Sequence, residues 1–122
     1  HKDIVTYCGV ANAKDSVRIL RNYFALLFPT YYSGEGLAGT ILDGFAARIP
    51  IIANDWKYNS EIIKDGENGF IYHYRDTNEA AQKLLTLYND SKERKTIVEG
   101  CTESLKKYST KKIMGEFSKI LD

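Results

Sequence analysis

Short apolar segments alternate along the chain with segments whose apolar residues recur every three or four positions. Segments rich in β-branched and aromatic residues predict strands at 4–7, 24–28, 50–53 and 70–72. The helical spacing predicts helices over about 13–22, 39–47 and 60–64, followed by an entirely helical remainder. Such alternation is typical of βαβ units with right-handed crossovers. We therefore predict an α/β fold, a Rossmann-like parallel sheet of about four strands with flanking helices.

Two of these elements carry finer signals. The unbroken apolar run 24–28 is ended by Pro29 and predicts a strand buried on both faces. Asp76, with Glu79 three residues later, predicts a capped helix start. The helix that follows carries one apolar stripe, formed by Ala80, Ala81, Leu84, Leu85 and Tyr88. Two further helices are marked by Ile97, Val98, Cys101, Leu105 and Tyr108, and by Ile113, Phe117, Ile120 and Leu121.

Composition and charge limit the classes of protein to which this chain can belong. A chain of 122 residues, 43% apolar and 27% charged, suits one folded domain, and we treat 1–122 as a single domain. A net charge of +1 gives no electrostatic case for nucleic-acid binding. Cys8 and Cys101 are expected to be buried thiols in a reducing compartment. The sequence has neither a membrane-spanning apolar stretch nor a signal-peptide pattern, which predicts a cytoplasmic location.

The loop 29–39 is the first candidate for chemistry. It joins a strand to a helix, and its glycines let backbone amides approach a ligand at the helix N-terminus, which suits a diphosphate. Glu35 and Asp43 flank this helix start, and carboxylates accept hydrogen bonds from vicinal hydroxyls such as those of a sugar and a ribose. Alternatively, the loop is only a tight turn, Glu35 complements the helix dipole and Asp43 faces solvent. The glycines are Gly34, Gly36 and Gly39.

A second candidate loop, 54–59, follows the third predicted strand. Trp56 either stacks on a sugar or base or fills the gap between helix and sheet. Lys57 and Asn59 are further candidate contacts to the same ligand. His73 is expected to be structural or exposed. The sequence shows no Cys/His cluster and no Asp-x-Asp pair, so no metal site is predicted.

Several short motifs follow one another between residues 28 and 70. They are Phe28-Pro29-Thr30, Glu35-Gly36-Leu37, Ile41-Leu42-Asp43, Ala46-Ala47, Pro50-Ile51-Ile52-Ala53, Glu61-Ile62-Ile63, Asp65-Gly66 and Asn68-Gly69-Phe70. This series resembles the signature of family 4 retaining glycosyltransferases, which have the GT-B fold. The resemblance extends over nearly the whole chain, down to the helical tail.

The resemblance assigns roles to the first loop. It implies that Glu35 is the catalytic residue and contacts hydroxyls of the donor sugar ring near the reacting carbon. Asp43, after seven intervening residues, would bind the ribose hydroxyls of the nucleotide. The resemblance also implies that the diphosphate is held by the backbone amides of Leu37, Ala38, Gly39 and Thr40. Gly34 and Gly36 are the other two donor-binding positions that it implies.

Three positions depart from the family pattern. Asp43 stands where Glu is usual and is shorter by roughly 1.5 Å, one C–C bond. Ala38 replaces the usual Gly or Pro. Arg48 replaces a helix-ending Gly, which weakens the argument for a C-cap there.

The resemblance also implies an activity. The chain would be a fragment of the C-terminal donor domain of a hexosyltransferase. The whole enzyme would move a sugar from a nucleotide diphosphate, with retention, to a glycan or lipid-linked acceptor in polysaccharide biosynthesis. No cofactor or metal is implied, because the helix dipole and basic side chains usually replace a divalent cation. The acceptor domain and two strands would precede residue 1, and the fragment alone would be inactive.

Further expectations concern partners and alternatives. Exposed strand edges predict self-association. The lysines at 106, 107, 111 and 112 predict a solvated face with weak attraction to anionic lipid, hence a peripheral place at the inner membrane face. A non-catalytic glycosyltransferase-like binding or assembly module is the alternative function. A flavodoxin-like regulatory domain would have an acidic cluster after its first strands, and Tyr7-Cys8-Gly9 has none.

Overall fold

A computed structural model describes residues 4–31 and 39–108. Its strands and helices follow the predicted alternation, and the helix predicted over 39–47 has those bounds. The strands are β1 (Leu26–Phe28), β2 (Ile51–Asn54) and β3 (Phe70–Tyr72). The helices are α1 (Ser16–Leu20), α2 (Gly39–Ala47), α3 (Asn59–Ile62), α4 (Thr77–Asn89) and α5 (Ser91–Lys107).

The three strands form one parallel sheet in the order β1-β2-β3. Leu27 lies opposite Ile52, which in turn lies opposite Phe70. Every residue of the central strand β2 is buried. The α/β class and the parallel sheet are therefore confirmed, and β3 is at an edge of the sheet that the described residues form.

Helix α2 packs closely on one face of the sheet. A Cβ placed on Gly44 would lie 2.7 Å from the Ile51 side chain and 3.3 Å from that of Leu26. The absence of a side chain at Gly44 therefore allows the helix to approach the strands. Ile41 and Phe45, on the same side of α2, are completely buried in the core. This packing fixes the start of α2 at the edge of the sheet where β1 ends, as a strand-to-helix crossover requires.

Helices α4 and α5 complete the core from other directions. Helix α4 lies over the opposite face, where the Lys83 ammonium is 5.2 Å from the centre of the Phe70 ring. Helix α5 crosses the amino ends of β2 and β3. The Cys101 sulfur lies there 3.6 Å from the carbonyl oxygens of both Ile49 and Asn68, which share its single S–H donor.

Two helix ends test the capping predictions. The Asp76 carboxylate accepts a hydrogen bond from the Glu79 N–H at 3.0 Å, so the predicted cap of α4 is confirmed. Helix α2 ends with Arg48 in the left-handed region at φ +59°. The Ile49 N–H donates to Gly44 O at 3.2 Å and the Arg48 N–H to Phe45 O at 3.0 Å, which is the Schellman pattern. Arginine thus occupies the position that glycine usually takes, and the motif still forms.

The predicted strand at 4–7 is wrong. These residues form no strand, and the side chains of Ile4, Val5 and Tyr7 are 75–87% exposed. A strand is stable only when a neighbour pairs with its backbone groups, and β-branched composition cannot supply that neighbour.

Three burial predictions also need correction. Leu27 is 55% exposed, so β1 is not buried on both faces. On α4 it is Leu87 that is buried, whereas most of the predicted apolar stripe lies at the surface. Cys101 is a buried free thiol as expected, but Cys8 is an exposed one. The helix predicted around Ile113 to Leu121 lies outside the described residues.

Candidate functional site

The carboxyl ends of the three parallel strands meet along one edge of the sheet. The loops that leave this edge begin at Pro29, Asp55 and His73. In open parallel sheets this edge is where ligands bind. Three predicted donor-binding residues, Gly39, Thr40 and Asp43, are described. The others lie outside the described residues, namely Gly34, Glu35, Gly36, Leu37 and Ala38.

The first turn of α2 is open to solvent. Gly39 and Thr40 are exposed, and apart from its chain neighbours and the backbone of α2, no described heavy atom lies within 4 Å of a Cβ placed on Gly39. Asp43 is half-buried and lies one turn further along, on the same side as Gly39 and Thr40. Its Cα is about 6 Å further along the helix axis than that of Gly39. Backbone N–H groups, the positive end of the helix dipole and a carboxylate are therefore presented together, an arrangement that can hold an anion beside a diol.

A buried asparagine pair joins the ends of β1 and β2. Asn54 and Asn59 are both 0% exposed. The Asn54 Nδ2 donates to Thr30 O at 2.8 Å, and the Asn59 Nδ2 donates to Asn54 Oδ1 at 3.2 Å and to Asn54 O at 3.1 Å. This network connects α3 to β2 and holds the backbone at the beginning of the glycine-rich loop. Sequence reasoning missed the network, although an Asn directly after the apolar run 50–53 was a signal for it.

The structure separates the two candidate contacts of the second loop. The amide nitrogen of Asn59 is engaged with Asn54 inside the protein, which points to positioning rather than direct contact with a ligand. Lys57 is exposed and has a left-handed backbone at φ +52°. Its ammonium lies 5.3 Å from the centre of the Trp56 ring.

Trp56 packs against the next loop along the sheet. It is half-buried and stacks on Tyr74 with ring centres 5.1 Å apart and 22° between the planes. The sequence had offered ligand stacking or a plug between helix and sheet, and the described contact is with an aromatic ring on the same edge.

Titratable groups near the edge have explicable pKa shifts. His73 is exposed, and its Nδ1 lies 2.7 Å from Glu79 Oε2, a hydrogen bond that raises the pKa of His73. Burial, together with the neighbouring Tyr31, raises the pKa of Tyr72.

Within residues 4–31 and 39–108 no group of three His, Cys, Asp or Glu side chains is placed to hold a metal ion. Over the same ranges, no helix has the length and apolarity to cross a membrane.

Comparison with known proteins identifies the family. The profile of glycosyl transferases group 1 matches residues 1–90, most of the chain. The protein belongs to this family of glycosyltransferases. The motif series at 28–70 falls within the matched range.

Individual relatives agree with this assignment. The chain is 29% identical over 106 residues to the poly(ribitol-phosphate) alpha-N-acetylglucosaminyltransferase of Staphylococcus aureus, covering 80% of this chain and 20% of that protein. It is 33% identical over 97 residues to the uncharacterized glycosyltransferase MJ1178 of Methanocaldococcus jannaschii, covering 79% of this chain and 27% of that protein. Over 117 residues it is 28% identical to spore coat protein SA of Bacillus subtilis, covering 95% of this chain and 29% of that protein. The chain spans 14–29% of the length of the curated relatives it matches.

A solved structure supports the fold. The C-terminal domain of the glycosyl transferase group 1 family protein LpcC from Francisella tularensis superposes with a TM-score of 0.71 at 24% identity. The match covers 83% of this chain and 51% of that one. The fold is therefore that of the C-terminal domain of a GT-B glycosyltransferase.

Proposed function

We propose that this chain binds a nucleotide-diphosphate sugar at the start of α2. In a protein of the length of its relatives, the sugar would pass with retention to a glycan or lipid-linked acceptor. The observation that carries the proposal is the position of Asp43, one turn inside a solvent-open helix start where β1 ends. Family membership supports glycosyl transfer, and this geometry supports a ligand with both a diphosphate and a diol.

The proposed roles divide along the nucleotide sugar. The backbone amides at the start of α2, including those of Gly39 and Thr40, hold the diphosphate. Asp43 accepts hydrogen bonds from the ribose hydroxyls. Glu35 contacts the donor sugar near the reacting carbon, and Lys57 reaches the ligand from the neighbouring loop. Asn59, being buried, supports that loop from behind.

Further parts of the proposal follow from the resemblance. The reaction is of the hexosyltransferase type, serves polysaccharide biosynthesis and uses neither cofactor nor metal. It takes place in the cytoplasm or peripherally at the inner face of the membrane. Because the relatives are several times longer, we propose that these 122 residues alone bind donor without transferring it.

Calorimetric titration with UDP-, GDP- and ADP-sugars tests the proposal. We expect one nucleotide class to bind saturably, and Asp43→Ala to weaken binding about 10- to 100-fold, the effect of losing a hydrogen bond to a charged group. Asp90→Ala removes a carboxylate that caps α5, away from this edge, and is the matched control. The absence of binding by all three classes would count against the proposal.

A further inference from the structure

Three aromatic side chains from three different loops meet at the carboxyl edge of the sheet. Tyr31 follows β1, Trp56 follows β2 and Tyr74 follows β3. Tyr74 is the centre of the group: its ring centre is 5.1 Å from that of Trp56 and 5.2 Å from that of Tyr31, which lies perpendicular to it at 89°. We name Tyr31, Trp56 and Tyr74 the aromatic shelf.

Two hydrogen bonds of Asp55 hold two of the three loops together. The Asp55 N–H donates to Tyr72 O at 3.0 Å, and the Asp55 carboxylate accepts from the Tyr74 N–H at 2.9 Å. The positions of Trp56 and Tyr74 are therefore fixed by more than their own stacking. A surface fixed in this way binds a ligand without first ordering its own loops.

Two exposed cations flank the aromatic shelf, and both have an unfavourable backbone conformation. The Lys57 ammonium lies over Trp56, and the Arg75 guanidinium lies 5.2 Å from the centre of the Tyr74 ring. Lys57 has φ +52° and Arg75 φ +67°, a region where glycine is the residue without strain. Glycine would form these turns more easily but would have no side chain to offer. Strained non-glycine residues of this kind cluster at ligand sites.

The aromatic shelf also borders a concave space. Tyr31 and Arg75 line one end of a pocket of about 350 Å³, whose other walls are mostly apolar and continue to Leu27 and Leu84. The size suits a small ligand. Tyr31 itself is 52% exposed, so a ligand could reach its surface from solvent.

We propose that the aromatic shelf, with Arg75, binds a pyranose ring of the acceptor. A pyranose offers apolar C–H faces to aromatic rings, and its hydroxyl oxygens accept hydrogen bonds from Arg. Trp56 stacks on one face of Tyr74, and the perpendicular Tyr31 ring is 52% exposed, so the rings form a corner that is open on the Tyr31 side. Such a corner fits a puckered ring better than a flat base. The inference rests on the proposed function, because it places an acceptor sugar beside the loop assigned to the donor.

The single tryptophan of the chain makes the proposal directly measurable. The indole N–H resonance of ¹⁵N-labelled protein, which belongs to Trp56, is followed during titration with glucose, galactose, mannose, N-acetylglucosamine and glucuronic acid. We expect a saturable shift with at least one of them. The proposal would be overturned if none of the five sugars shifts the resonance. It would also be overturned if UDP, GDP or ADP causes a saturable shift that is larger than the shift with any sugar and that Tyr74→Leu abolishes.

Two arginine substitutions separate binding from stability. Arg75→Gly relieves backbone strain, so we expect a melting temperature higher by about 2–4 °C together with sugar affinity at least fivefold weaker. Arg48→Gly is the matched control: it has the same residue type and the same backbone region, φ +59°, at the end of α2 away from the aromatic shelf. It should raise the melting temperature equally and leave sugar affinity unchanged. Unchanged affinity in Arg75→Gly would contradict the proposal.

Asp43→Ala distinguishes this inference from the proposed function. The substitution lies in the proposed nucleotide site and should leave the pyranose titration unchanged. If nucleotide sugars fail to bind to the unmodified protein while its pyranose shift persists, the donor assignment fails and the aromatic shelf remains a sugar site. If nucleotides bind and no pyranose does, only the aromatic shelf is refuted.

Discussion

The side-chain amide of Asn54 donates a hydrogen bond to the carbonyl oxygen of Thr30 at 2.8 Å, and so connects the ends of β2 and β1. Asn54 is completely buried and also accepts from Asn59. The bond holds the first residues of the loop to which donor binding is assigned. A single buried side chain therefore links sheet stability to the geometry of the proposed site.

Asn54→Ala should destabilise the protein and weaken donor binding together. The substitution leaves the Asn59 amide without its Oδ1 acceptor and Thr30 without this donor, which costs about 1–3 kcal/mol in the free energy of unfolding. Urea unfolding measures the first effect and calorimetry the second. Asn78→Ala, at an exposed position of α4, is the control and should change neither. Full stability in Asn54→Ala would show that the network is not needed.

The two thiols should differ sharply in reactivity. Burial raises the pKa of Cys101 to about 11, whereas Cys8 is exposed. The thiolate is the reactive species, so at pH 8 only Cys8 should react quickly with Ellman's reagent. Cys8→Ser should abolish the fast reaction, and adding 6 M guanidinium should restore one reactive thiol. Fast labelling of the folded Cys8→Ser variant would contradict the placement of Cys101 in the core.

His73 should contribute a pH-dependent stabilisation. Its hydrogen bond to Glu79 raises its pKa above the ordinary value of 6.5. A raised folded pKa means that the stabilisation is fully present below pH 6.5 and is lost as pH rises through the folded value. An NMR titration should give a His73 pKa above 6.5, which Glu79→Gln should lower. In His73→Gln, the free energy of unfolding measured with urea should depend less on pH between pH 6 and 8. A His73 pKa unaffected by Glu79→Gln would contradict the contact.

We expect this chain to form dimers through the open side of β1. Among the described residues, β1 pairs only with β2, so its other edge can pair with a second copy. Beside that edge lies an apolar face formed by Phe24, Leu27, Leu84, Leu85 and Tyr88, all 41–77% exposed. Light scattering after size exclusion should show a dimer that Leu85→Glu dissociates. Gln82→Glu, exposed on the same helix, is the control, and a monomer at millimolar concentration would refute the prediction.

The sequence predicted those elements whose partners are near in the chain. The helix 39–47 and the Asp76 cap depend on spacing and on a contact three residues away, and both were correct. Residues 4–7 and Leu27 were misjudged because strand formation and burial depend on what covers them, which local composition does not contain. Likewise, the Asn54–Thr30 bond spans 24 residues, and the aromatic shelf joins three loops that become neighbours only through the sheet.

The central claim is that Asp43 holds the ribose hydroxyls of a nucleotide whose diphosphate lies at the start of α2. The most direct measurement compares the affinity of a nucleoside diphosphate with that of its 2′,3′-dideoxy analogue, in the unmodified protein and in Asp43→Ala. We predict that the unmodified protein prefers the ribose form by at least about tenfold, or 1.4 kcal/mol, and that Asp43→Ala abolishes this preference. A preference of the same size in both proteins would contradict the account.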